Sequence, residues 1–325
     1  MILTLTPNPS VDETVTLGGP LERGAVQRVV SSTRQAGGKG VNISRACVAA
    51  GEPSVAVLPA RPDDPFVLEL LGVGVDCRPV RTDASVRVNI AVTEPDGTTT
   101  KLNSAGATVS PDVLDELAAA LRRYARDAAW TVLAGSLPPG APTDWYATLT
   151  AGLAGTGTRV AVDTSDAPLQ ALVAALPGAA PTLMKPNAEE LASFAGGDAD
   201  ELEADPHAAA RAAVHLLDRG VRTVLATLGG NGAVLLEQAA DGSVEAWHAS
   251  PPPTTVVSTV GAGDSSLFGY LLGDLRGLPA PERLALGVAY GSAAAGLPGT
   301  TIPLPDQVHP DLVAIRTISL NRSDA

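Results

Sequence analysis

Thr259-Val260-Gly261-Ala262-Gly263-Asp264-Ser265 runs straight into an apolar stretch of helical period, Ala262–Arg276. Small residues at the mouth of a helix leave consecutive backbone N–H groups bare, which makes an anion hole, and Asp264 sets a carboxylate at its edge. That pairing suits phosphoryl transfer: the carboxylate takes a hydroxyl proton while the N–H groups stabilise charge on the moving phosphoryl. Read alone, Asp264 serves equally well as a partner of the helix dipole.

Outward from this segment, short apolar runs alternate with Ala/Leu-rich segments of helical period, as when helices cross strands over into a mostly parallel sheet. The pattern predicts helices over Val41–Ala50, Pro111–Arg126, Pro142–Ala154, Pro206–Arg219 and Ala262–Arg276, several with Pro in the first turn. It predicts buried strands over Val55–Leu58, Trp130–Ala134, Arg159–Asp163, Thr182–Met184 and Thr223–Thr227. Two stretches break the rhythm. Glu13–Ser32 and Ser85–Leu102 alternate with period two, and the second turns at Glu94-Pro95-Asp96-Gly97. Neither has a crossover helix, so they are expected to pair into a small projecting sheet, either a flap or a plain edge sheet. Pro251-Pro252-Pro253 is too short to part domains and is expected to lead into a further strand.

Composition narrows the partners. The 325 residues carry a net charge of −13 with 3% aromatics, which disfavours nucleic acid as a partner. Lys occurs only at Lys39, Lys101 and Lys185, every other basic residue bar the four histidines being Arg. Cys47 and Cys77 make no metal spacing and no disulfide framework, so a reducing compartment is expected. The N-terminal apolar run stops at Pro7 without a basic leader, and no stretch reaches membrane-spanning length, so the expected location is the cytoplasm, away from membranes.

Four further segments carry candidate chemistry. Gln35-Ala36-Gly37-Gly38-Lys39-Gly40-Val41-Asn42 places glycines before a helix, where backbone and helix terminus favour an anion. It is neither a Walker A loop nor a GxGxxG fingerprint, and a tight strand-to-helix turn is the alternative reading. Lys185-Pro186-Asn187-Ala188-Glu189-Glu190 follows a strand and puts Asn187 and Glu190 on one helix face, fit either for a hydrated Mg²⁺ or for a capping box. Thr227-Leu228-Gly229-Gly230-Asn231-Gly232 and Gly135-Ser136-Leu137-Pro138-Pro139-Gly140 each follow a strand at the sheet's carboxyl edge, where α/β proteins bind ligands. His207, His215, His248 and His309 have no metal or triad spacing and read as surface or core residues.

Together these segments resemble the phosphofructokinase-B family of carbohydrate kinases, the ribokinase-like group. Gly37–Asn42 is similar to its N-terminal signature, Thr259–Asp264 to its C-terminal one and Lys185–Glu190 to its metal-associated NxxE segment, in order from Met1 to about Thr300. The opening Thr6-Pro7-Asn8-Pro9-Ser10-Val11-Asp12, with Gly135–Gly140, resembles the 1-phosphofructokinase and tagatose-6-phosphate kinase branch. Two places depart from the pattern: a short Ala60–Pro65 loop, and Ala107 where the branch often has Pro.

The resemblance implies a three-layer α/β/α sandwich with a mostly parallel central sheet and a small β-sheet lid. It implies a single kinase domain over 1–325, with lid insertions at about 13–34 and 84–103. It implies Asp264 as general base and the backbone of Gly261, Ala262 and Gly263 as anion hole. Asp12, Gly38, Lys39, Asn42, Arg87, Asn89, Lys101 and Ser136 would bind the sugar phosphate, a guanidinium fork such as Arg87 suiting phosphate. Lys185, Asn187, Thr227, Gly229, Gly230 and Gly232 would bind ATP, and Asn187 with Glu190 would hold Mg²⁺ through water. The expected reaction is ATP-dependent phosphorylation of fructose 1-phosphate, with tagatose 6-phosphate and fructose 6-phosphate as rival acceptors. A catalytically silent sugar-phosphate sensor and a nicotinamide oxidoreductase are the alternatives of another class, the latter disfavoured by the absent GxGxxG. A homodimer paired through the lid edges is a further expectation.

Overall fold

A computed structural model describes residues 1–239 and 241–320. The elements in chain order are β1 (Ile2–Leu5), β2 (Ser10–Leu17), β3 (Val29–Gly37), α1 (Lys39–Ala49), β4 (Ser54–Pro59), α2 (Pro65–Gly72), β5 (Cys77–Val80), β6 (Arg87–Thr93) and β7 (Thr99–Asn103). There follow α3 (Pro111–Ala125), β8 (Trp130–Ala134), α4 (Trp145–Gly152), β9 (Arg159–Asp163), α5 (Asp166–Ala174), β10 (Leu183–Met184), α6 (Ala188–Ala195), α7 (Ala199–Ala204), α8 (Pro206–Leu217) and β11 (Thr223–Thr227). The last are β12 (Ala233–Gln238), β13 (Val244–Ser250), α9 (Ala262–Leu275), α10 (Ala280–Ala295) and β14 (Ala314–Thr317).

The main sheet runs β5-β4-β1-β8-β9-β10-β11 in parallel and continues antiparallel through β12, β13 and β14. β1 and β8 are buried at every residue because helices cover both faces, which is why these strands read as unbroken apolar runs. On one face α3 lays Leu114, Leu117, Leu121 and Ala125 against the sheet, and Ser110 starts it by accepting from the Val113 N–H ahead of Pro111. On the other face lie α1, α9 and α10. α9 is buried continuously from Asp264 to Gly273, wedged between sheet and neighbours, so it shows no amphipathic stripe. The α9–α10 contact is close: a Cβ at Gly269 would come 2.6 Å from the Leu286 carbonyl oxygen.

The two alternating stretches do form a second sheet, in the order β3-β2-β6-β7. β2 and β6 pair in parallel at its centre, and Gly97 N–H closes the β6–β7 turn on the Glu94 carbonyl at 3.0 Å. The resulting architecture is the ribokinase-like α/β fold with its small lid sheet.

Several boundaries move. The first alternating stretch is not strand throughout: β2 stops at Leu17 and β3 starts at Val29, because Gly18-Gly19-Pro20 and Gly24 break the pairing. The helix expected from Pro142 begins at Trp145, that expected from Val41 begins at Lys39, and Thr182 precedes rather than opens β10. Pro251–Pro253 leads into an irregular segment before α9, not into a strand, as prolines that donate no ladder bond would direct. The Ala60–Pro65 connection is closed by Asp64, which caps α2 through the Phe66 N–H. Both cysteines are buried and free, and burial pushes each thiol up to about 12. No helix among the described residues is long and apolar enough to cross a membrane.

Candidate active site at the carboxyl edge of the sheet

The parallel strands deliver their carboxyl ends to one rim, and the N-termini of α1 and α9 open onto it, as ligand sites in open α/β sheets require. At its centre stands Asp163, the last residue of β9 and fully buried. Lys39, first residue of α1, donates to its Oδ1 at 2.7 Å. Lys185, just past β10, holds its ammonium 3.2 Å from Oδ2, an ion pair without hydrogen-bond alignment. Burial alone would raise the Asp163 pKa, but Lys185 and Lys39 outweigh it and hold it below the ordinary carboxylate value. Burial likewise works against the charge on Lys39, and Asp163 and Asp264 overcome it and hold the lysine pKa above its usual value.

Asp264 occupies the first turn of α9 and is 7% exposed. It accepts one hydrogen bond, from Asn42 Nδ2 at 2.8 Å. Burial pushes its carboxyl up to about 6; Lys39 pulls down, Asp163 pushes up, and the Asn42 bond pulls down again. Gly261 enters the helix with φ 81°, the left-handed region that glycine tolerates, and a Cβ on Gly263 would sit 3.3 Å from Lys185 Nζ. The absence of a side chain at Gly263 therefore leaves room for the Lys185 ammonium beside the turn, where the Ala262 N–H donates to the Thr259 carbonyl at 3.4 Å.

Toward the lid, Asp12 of β2 accepts from Ser10 Oγ at 2.8 Å and from Asn89 Nδ2 of β6 at 3.2 Å. Burial raises the Asp12 pKa, partly offset by those two bonds. Gly37 leaves the room: a Cβ there would overlap the Asp12 carboxylate. Gly38, φ 110°, packs against Thr6, and Arg87 donates to the Ser104 carbonyl at 2.7 Å and reaches Ser136 Oγ at 3.4 Å. Asn8 gathers the same corner, donating to the Ala105 carbonyl at 3.0 Å. Thr6 Oγ1, Asn42 Oδ1, Asn89 Oδ1 and Arg87 Nε are buried with no protein partner among the described residues, a concentration of unspent polar capacity that favours a polyhydroxy, anionic ligand.

Toward β11, Asn187 and Glu190 form a full capping box on α6: Asn187 Oδ1 accepts from the Glu190 N–H at 2.8 Å, and Glu190 Oε2 from the Asn187 N–H at 2.9 Å. The other Glu190 oxygen has no hydrogen bond among the described residues, and burial together with the negative charge of Asp163 raises the Glu190 pKa. Thr227 bridges Asn187 through backbone, its N–H donating to the Pro186 carbonyl at 3.0 Å. Gly229–Asn231 then forms a 3-10 turn ended by Gly232 at φ 88°.

The rim thus assembles Asp264, Gly261, Ala262, Gly263, Asn42, Lys39, Gly38 and Lys185 into one cluster, flanked by Asp12, Asn89, Arg87 and Ser136 on one side and by Asn187, Glu190, Thr227, Gly229, Gly230 and Gly232 on the other. Lys101 stands apart, exposed on β7 opposite Ala91, with no side-chain bond among the described residues. His248 contacts the Asn231 carbonyl at 2.8 Å, and with His207 it lines a cavity beside Gly230 on the flank of the rim. Asp163 was not singled out from sequence. Its only signal is a charged residue ending an apolar strand at the ligand edge.

Residues 5–307 match the pattern of the pfkB family carbohydrate kinases. A 1-phosphofructokinase of Rhodobacter capsulatus is 35% identical over 94% of this chain and 94% of its own, and one of Haloferax volcanii is 34% identical over 98% and 100%. The crystal structure of phosphofructokinase-2 from Escherichia coli in complex with substrates and products superposes with a TM-score of 0.85 at 27% identity, covering 96% of this chain and 99% of that one. The chain belongs to the pfkB family of carbohydrate kinases.

Proposed function

We propose that this pfkB carbohydrate kinase transfers the γ-phosphoryl of ATP to D-fructose 1-phosphate, giving D-fructose 1,6-bisphosphate and ADP. The observation that carries the chemistry is the buried Asp264 carboxylate, pushed up to about 6, in the first turn of α9 behind Gly261–Gly263. Near neutral pH such a group is largely ionised yet basic enough to take a hydroxyl proton as the oxygen attacks phosphorus. The Gly261, Ala262 and Gly263 N–H groups and the helix terminus stabilise charge on the transferring phosphoryl. Asn42 orients Asp264 through the 2.8 Å bond and keeps its own Oδ1 for a sugar hydroxyl.

Asp12 and Asn89 take further hydroxyls, and Arg87, with Lys39, Gly38 and Ser136, accounts for the sugar phosphate. The lid sheet covers the sugar and excludes the water that would otherwise receive the phosphoryl. Thr227 and Gly229–Gly232 line the nucleotide, and Lys185 faces its phosphates.

The free oxygen of Glu190 beside Asp163 suits a cation held mainly by ATP phosphates and water, and no group of three or more ligating side chains stands ready among the described residues. Mg²⁺ there would shield phosphate charge; Glu190 and Asn187 would orient its water. The curated 1-phosphofructokinases favour fructose 1-phosphate, while the phosphofructokinase-2 superposition keeps fructose 6-phosphate as the second reading.

A kinase assay across fructose 1-phosphate, fructose 6-phosphate and tagatose 6-phosphate decides between them by kcat/KM. Steady ADP production with any of them eliminates a silent sensor. The exposed Val29, Val30 and Leu102 of the lid sheet would pair two copies, which solution mass checks.

A further inference from the structure

Thr300 lies in the loop after α10, remote in sequence from the residues of the site, yet it is 5% exposed. Its hydroxyl donates to the side-chain carbonyl of Gln35 at 2.9 Å. Gln35 sits on β3, opposite Asp12 in the strand register and just ahead of the Gly37–Gly38 turn that starts α1. On its other flank Thr300 backs the anion-hole turn, since a Cβ at Gly261 would meet Thr300 Cα at 3.8 Å. Its neighbour Gly299 lies against β2, where a Cβ would stand 3.5 Å from Thr14 Oγ1. One short loop therefore touches two lid strands and the mouth of α9.

Beyond its ladder with β2 and the contacts of Ser32 and Arg34 with Glu13, the rest of β3 buries little. Every residue from Val29 to Arg34 is exposed, and burial begins only at Gln35. A strand seated at its base responds strongly to a single buried bond there. Gly261 is the left-handed residue of the anion-hole turn, so a shift of the chain packed on it re-aims the N–H groups that follow.

We propose that Thr300 is a positioning residue that ties the lid strand β3 to the Gly261–Gly263 turn, so that the anion hole is set for transfer when the lid is seated on the sugar. The proposal rests on the kinase reading of the site and adds to it a route by which sugar binding is felt at the phosphoryl group.

Thr300→Val keeps the shape and removes the hydroxyl, Thr300→Ser keeps the hydroxyl, and Gln35→Met removes the acceptor from a largely exposed strand. Loss of a neutral hydrogen bond predicts a fall in kcat of about three- to tenfold for Thr300→Val. The ATP KM should stay within about twofold and thermal unfolding within a few degrees, with Thr300→Ser restoring turnover. Gln35→Met should give the same loss, and the double variant no more than either single one, because both remove one interaction. Unchanged turnover in Thr300→Val, or losses that multiply in the double variant, overturns the tie. Should Thr300→Val fail to fold, unchanged turnover in Gln35→Met overturns it equally. The unsubstituted chain, assayed alongside, separates the two ideas: no ADP from it with any ketohexose phosphate refutes the kinase reading, whereas an active parent with an equally active Thr300→Val refutes only the tie.

Discussion

Asp264 in the first turn of α9 and Asp274 in its last are the same side chain on one buried helix, in opposite surroundings. Asp274 accepts from Trp130 Nε1 at 2.8 Å, from Arg159 Nη1 at 2.9 Å and from Arg283 Nη1 at 3.1 Å. Arg283 in turn donates to Glu237 at 2.8 Å and to the Tyr270 hydroxyl at 3.0 Å, and that hydroxyl donates to Glu237 at 2.6 Å. This end of the helix is a staple, in which Arg283 Nε is the one buried side-chain donor without a partner among the described residues. Among the described residues Asp264 has one hydrogen-bond partner, and the buried atoms around it include several with none. An unmatched buried polar group costs about 1–3 kcal/mol, so a chain that satisfies one end of a helix and leaves the other wanting has kept the second for a ligand.

The sharpest way to break this contrast is to neutralise each carboxylate. Asp264→Asn should cut turnover by roughly 10²–10⁴-fold with binding largely intact. Its stability should hold or rise, and the sign follows from the pKa. A carboxyl raised above its unfolded value of 3.8 adds stability below that value and loses it as pH climbs toward about 6. The variant should therefore show less decline in stability between those limits, read by thermal unfolding. A variant with near-normal turnover would sink the mechanism.

Asp274→Ala should do the reverse. It strands Arg159 and Arg283 at a partly buried network and should cost up to about 3–5 kcal/mol in urea unfolding, while kcat per folded molecule stays near the parent value. Lys39→Met tests the site from its cationic side. Without the ammonium the Asp264 carboxyl rises further, so the acid limb of the kcat profile, expected near 6, should move to higher pH, with a larger loss of turnover at pH 7 than at about pH 9. An unmoved limb would mean that Lys39 serves the sugar phosphate alone. Smallest is Asn187→Ala, which opens the capping box and should lower stability by about 0.5–2 kcal/mol.

Much of this was legible in the sequence because it is local. The glycine turns, the place of Asp264 and Asn42 in the first turns of their helices, and the NxxE segment are set by neighbours a few residues away, and the strands Trp130–Ala134, Arg159–Asp163 and Thr223–Thr227 end where their apolar runs end. What escaped depends on distant pairing. Asp163 joins two lysines from separate elements, and nothing in its own segment announces either. α10 was missed because Gly287 and Gly291 weaken a helical reading, although close packing on α9 is what demands them. β12 to β14 were missed because a short apolar run such as Ala233–Gln238 fits helix or strand until an antiparallel partner settles it. Of the two readings of the NxxE segment the structure contains the capping box, and the second Glu190 oxygen has no protein partner among the described residues.

The Trp130 indole has a use beyond the staple. It donates to Asp274 at one edge and lies under the Arg159 guanidinium, 4.4 Å from ring centroid to cation, at 2% exposure. Indole emission is sensitive to an adjacent charge and to water, and the other two tryptophans, Trp145 and Trp247, lie on other elements. With those two replaced by Phe, the molecule carries its own optical gauge of how firmly the far end of α9 is moored.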